Sequence, residues 1–126
     1  MTYKYFVFGL HIHSELELPE LISDNSDMPA DVKITIGDTP DSLPNAQNQG
    51  VTFQIADNEL LLGLKGIARY HVKDGNQISI SPKENSDEKD IRLFLLGSCF
   101  GALLHQRKIL ALHASAIVHE LSLIHI

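Results

Sequence analysis

The chain has 126 residues, 44% hydrophobic and 21% charged, with five Pro, one Cys and no Trp, which supports one small domain, or part of one, and excludes collagen, low-complexity disorder and disulfide scaffolds. Ten Lys and Arg against sixteen Asp and Glu give a net charge of −6. The charge is uneven: residues 1–60 hold two Lys and ten acids, residues 61–126 eight bases and six acids. No Lys/Arg stripe interleaves with aromatics and the acidic front half repels phosphate backbones, so nucleic acid is not an expected partner.

Residues 3–10, rich in aromatic and branched side chains, and 11–18, alternating in character until Pro19, predict one strand bent at Gly9. Residues 22–30 read as a polar loop. Asp31 to Ile36 predicts a strand with Val32, Ile34 and Ile36 on one face, closed by Gly37. Residues 38–50 show no periodicity and are expected as an exposed loop. Next come strands at 51–55, 59–64, 67–72 and 77–81, the last pair joined through Asp74-Gly75, a strong hairpin signal because both positions need positive φ. Together they predict an antiparallel meander.

At Ser86-Asp-Glu-Lys-Asp90 the pattern changes. These residues offer an N-cap and acids for the positive end of a helix dipole, and Ile91 to Gln106 follows without Pro. A helix is expected at about 87–107. Ile91, Leu95, Cys99, Ala102 and Leu103 form a stripe, with Phe94, Leu96, Phe100 and Leu104 covering much of the remainder, as in a central buried helix. Gly97 and Gly101 suggest close approach to a neighbour. Residues 112–118 read as a core strand. The fold class is α+β: an antiparallel β-rich front part plus one buried helix.

Seven His invite a metal hypothesis. His11 and His13 would share a strand face, but no acid or Cys cluster with ligand spacing accompanies them, so a structural or surface role is favoured over metal. His105 and His113 flank the helix end. Cys99 lies inside the apolar helix and reads as a small core residue rather than a nucleophile. Ser115 lacks the Gly-x-Ser-x-Gly elbow of serine hydrolases. No Gly-x-x-x-x-Gly-Lys-Ser/Thr loop occurs. The longest apolar run, Leu93 to Leu104, is too short to span a bilayer and no signal-peptide pattern is present, so the chain reads as soluble, without membrane association, and cytoplasmic.

Three stretches carry a resemblance: Tyr5-Phe-Val-Phe-Gly-Leu-His-Ile-His-Ser-Glu-Leu16 with Leu18-Pro-Glu-Leu21; Gly66-Ile-Ala-Arg-Tyr70; and Asp90 to Ser98 through Gly101-Ala-Leu-Leu-His-Gln-Arg107 to Leu112-His-Ala-Ser-Ala-Ile-Val118. Together they resemble the amino-terminal half of bacterial proteins related to the carboxy-terminal catalytic domain of HPr kinase/phosphorylase, over residues 3 to about 118. The resemblance implies the P-loop fold shared with phosphoenolpyruvate carboxykinase, and ATP-dependent phosphoryl transfer, with Mg²⁺, to a serine of a protein or peptide. It also implies a catalytic position for His113, which matches a His on the strand preceding the family's phosphate loop.

Residues 1–120 are thus expected to be the N-terminal part of a single HPr kinase-like domain, ending before its phosphate loop. Leu121-Ser-Leu-Ile-His-Ile126 equals the in-frame translation of a common transposon-end sequencing adapter, so 121–126 is expected to be an artefactual tail. Its alternative is a genuine apolar strand. Without the loop no cofactor is expected for these 126 residues, and they are expected to be inactive. A reading from another class is a non-catalytic β-rich ligand-binding or interaction module.

Overall fold

The strand pattern at the amino terminus reverses at Gly9 instead of bending there. In the computed structural model, which describes residues 2–44, 46, 48–49 and 52–107, β1 (Tyr3–Val7) and β2 (Leu10–Ser14) form an antiparallel hairpin with Val7 opposite Leu10. Phe8 at φ 57° and Gly9 at φ 75° make the turn, the pair of left-handed residues that a two-residue hairpin requires. Phe-Gly is a poor hairpin signal, because a bulky residue resists positive φ. Here tertiary contact stabilises it: the Phe8 ring meets Phe100 edge-on with centroids 5.9 Å apart.

The irregular connection 15–31 is held down by its own polar groups. The buried Ser14 hydroxyl donates to Leu16 O at 2.7 Å and accepts from Leu16 N–H at 3.0 Å. Leu18 N–H donates to the buried Tyr5 hydroxyl at 2.7 Å. Farther on, Phe6 N–H donates to Ile22 O at 3.1 Å and Asp24 N–H to Lys4 O at 2.9 Å, so this segment covers the outer edge of β1 and shields unpaired strand groups.

β3 (Val32–Ile36) lies parallel to both neighbours, β2 and β8. The expected meander forms as β5 (Phe53–Ala56), β6 (Glu59–Leu64), β7 (Ala68–Lys73) and β8 (Gln77–Pro82), with a two-residue β4 (Asn48–Gln49) at its far edge. Asp74 at φ 55° and Gly75 at φ 66° turn β7 into β8 as expected. The sheet order is β1-β2-β3-β8-β7-β6-β5-β4. The front part is therefore a mixed sheet of seven full strands, not an antiparallel one. Alternation marks a strand but carries no direction, which explains why β3 gave no sign of parallel pairing.

The helix forms where its cap predicts. Asp87 accepts from Lys89 N–H at 2.9 Å, followed by α1 (Glu88–Phe94), a π-helical turn (Leu95–Cys99) and α2 (Phe100–Gln106). Ile91, Leu95, Leu96, Cys99, Phe100, Leu103 and Leu104 are buried against Ile12, Val32, Ile34, Tyr70, Val72, Ile78 and Ile80 of the sheet. Tyr70 fixes the helix start by donating its hydroxyl to Ile91 O at 2.8 Å. At the other end Gln106 donates to Val72 O at 3.2 Å and Arg107 to Gly75 O at 2.7 Å. The helix covers one face of the sheet and keeps an outer side, where Leu93, Ser98 and His105 are exposed. Gly97 does not mark a close approach, since a Cβ there would meet nothing within 4 Å; it lies within the π-turn.

Candidate functional site

Successive residues of a strand point to opposite faces, and the registers assemble them into rows. Beneath the helix the rows are apolar, as in Ile34, Ile78, Val72 and Leu60 across β3, β8, β7 and β6. On the opposite face the row one step away reads Lys4, His13, Lys33, Gln77, Lys73 and Glu59 across six strands. The next contains Thr35, Ser79 and His71. This face has two parts. Over β5–β7 it is covered by part of the 38–50 segment: Leu43 packs on Ala56 and Leu61, Leu43 N–H donates to Gln54 at 2.7 Å, and Arg69 donates to Asp41 at 2.7 Å. The exposed loop expected at 38–50 is corrected accordingly at Leu43. Over β1, β2, β3 and β8 no described segment covers the face, and Lys4, Lys33, Thr35 and Gln77 are exposed.

The histidines of this face differ in their partners. His11 Nδ1 lies 2.7 Å from Asp24 Oδ2, and its backbone N–H donates to Asp31 at 2.8 Å. The hydrogen bond from His11, reinforced by the N–H of Ser26, holds the Asp24 carboxyl down at about 2. His71 Nε2 lies 3.0 Å from Glu59. By contrast, His13 Nε2 is sealed from solvent and has no hydrogen-bond partner among the described residues. His11 and His13 do share a face, but His11 is committed to Asp24, and among the described residues no three His, Cys, Asp or Glu are placed to hold a metal.

The remaining candidates separate clearly. Cys99 is wholly buried and burial pushes its thiol up, so it is a core residue with no thiolate to offer. A cleft of about 290 Å³ opens between the helix start and the ends of β3 and β8, lined by Leu16, Ile36, Ile80, Pro82 and Ile91. Ile36, expected to face inward with Val32 and Ile34, is 43% exposed at its mouth. His113, Ser115, the strand expected at 112–118 and the tail 121–126 lie outside the described residues.

Comparison of the chain with protein-family models, curated proteins and solved structures finds no match. Among the described residues no helix is long and apolar enough to cross a membrane. The Lys4–His13–Lys33 row escaped the sequence reading because it depends on β3 entering beside β2. One signal was present: Lys4 and Lys33 are the only Lys or Arg residues among the first sixty.

Proposed function

We propose that these residues form the amino-terminal part of a cytoplasmic, ATP-dependent serine kinase related to HPr kinase/phosphorylase, acting with Mg²⁺ on a hydroxyl of a protein or peptide. The observation that carries this reading is the block Asp90 to Ser98, Gly101 to Arg107 and Leu112 to Val118. The helix, capped at Asp87 and ending at Arg107, supports the expected order of a β-rich front followed by a helix packed on it; the core strand expected at 112–118 lies outside the described residues.

ATP and Mg²⁺ would be held in such a kinase by the backbone N–H groups, Lys and hydroxyl of a phosphate loop, and no such motif occurs in the 126 residues. The described side chains also offer no cluster suited to a cation. The described residues therefore do not fit the nucleotide by themselves. His113 is proposed to hydrogen-bond a phosphate or assist proton transfer in the full protein, since an imidazole near its ordinary pKa of about 6.5 serves either role.

The native reading frame beyond codon 120 provides the test. A Gly-x-x-x-x-Gly-Lys-Ser/Thr loop there, with serine phosphorylation by the full product that collapses in His113→Gln at an unchanged melting temperature, is the expected result. A stop codon at that point, or a full product without phosphoryl transfer, overturns the kinase reading. It would favour a ligand-binding module, for which the uncovered polar face of the sheet speaks.

A further inference from the structure

We propose that Lys4, His13 and Lys33 form a binding site for a phosphate monoester on the uncovered face of the sheet. The three residues come from β1, β2 and β3, and His13 is directly opposite Lys4 on one side and Lys33 on the other. Directly opposed side chains on one face have Cβ atoms about 5 Å apart, so both flanking lysines can reach a group seated over His13. The placement is all the more pointed because the first sixty residues contain ten acids and no Lys or Arg besides these two.

The nearby carboxylates accept hydrogen bonds from other donors and make no ion pair with the row among the described residues. Asp24 is engaged by His11 and Ser26, Asp31 by the backbone N–H of His11, and Glu15 by Ile36 N–H at 2.7 Å. Glu59, at the far end of the row, is engaged by His71. Neither Lys4 nor Lys33 makes an ion pair among the described residues. His13 Nε2 adds a sealed polar atom without a partner, an arrangement that costs free energy until something bonds to it.

These groups specify their ligand. Ammonium groups only donate hydrogen bonds, and His13 adds a donor when Nε2 carries the proton, so the complement is an oxyanion. Two cations match a dianion with three acceptor oxygens, the chemistry of a phosphate monoester. Lys4 and Lys33 stand two strand spacings apart, about 10 Å, with long side chains that can close on one compact group. The acidic surroundings oppose a polyanion such as nucleic acid. The proposal does not rest on the kinase reading.

The test is titration of the full 126-residue chain with inorganic phosphate and with O-phosphoserine at constant ionic strength set by chloride, following backbone amide and His13 ring NMR signals. Both probes are expected to give saturable shifts confined to β1, β2 and β3. Lys33→Gln, at an exposed position that leaves the fold intact, should weaken binding about tenfold, the scale of one charge-assisted hydrogen bond. Lys65→Gln, in the β6–β7 turn, should leave it within about twofold, as for a distant exposed charge. Equal losses in the two variants, or shifts no larger than chloride produces, overturn the site. Binding of phosphate without O-phosphoserine overturns the monoester assignment.

Discussion

The two faces of the sheet are built from the same strands and differ in almost everything else. In β8, Ile78 and Ile80 are buried beneath the helix while Gln77, Ser79 and Ser81 point the other way and keep partial or full exposure. In β3 the same alternation separates Val32 and Ile34 from Lys33 and Thr35. The helix face shows how this small chain gains stability, by closing one aliphatic layer over another. The open face carries the polar side chains, with Lys4, Lys33, Thr35 and Gln77 exposed.

Breaking the helix face should have the largest effect. Phe100 is 1% exposed and touches Phe8 across the core, so Phe100→Ala is expected to cost about 3–5 kcal/mol, read as a fall in the urea midpoint. That is a large share of the stability of a domain this size, and a partly unfolded variant is an acceptable form of the same result. A loss under about 1 kcal/mol would mean that the helix is not the lid of the core.

A smaller and pH-dependent effect sharpens the contrast from the open face. Asp24, held by His11 at about 2 in the folded chain against an ordinary value of 3.8, binds fewer protons folded than unfolded between those values. Its contribution is therefore fully present above about pH 5 and is lost as the pH falls through about 2. Asp24→Asn should lower the urea midpoint at pH 7, and its difference from wild type should shrink steadily between pH 4 and pH 2. A difference that stays constant over that range would show that the His11–Asp24 contact does not contribute to stability.

What could be read from sequence follows the same division. The meander was legible because alternation, Asp74-Gly75 and short polar turns are local signals, and the helix because Asp87 and the acids after it mark its start. The front of the chain was not. The hairpin at Phe8-Gly9 depends on Phe100, more than ninety positions away, and the insertion of β3 between β2 and β8 depends on strand pairing that no local pattern encodes. Leu43 gave no sign of burial, standing alone among Asp, Pro and Asn residues, yet it seals a small second cluster. The candidate anion row inherits this difficulty, since its members meet only once β3 is in place. His113 rests on a motif resemblance, which is a different kind of inference from contact.

That one face of the sheet supports the fold, while the other contributes little to it over β1, β2, β3 and β8, can be read from two neighbours in β8. Ile78 is fully buried and faces the helix, whereas Ser79 lies opposite Thr35 and His71 on the uncovered side. Urea unfolding of Ile78→Ala and Ser79→Ala, measured side by side, should give a loss of about 2–5 kcal/mol for the first and a change within about 0.5 kcal/mol for the second. Comparable losses in the two variants, or a mild Ile78→Ala, would contradict the account.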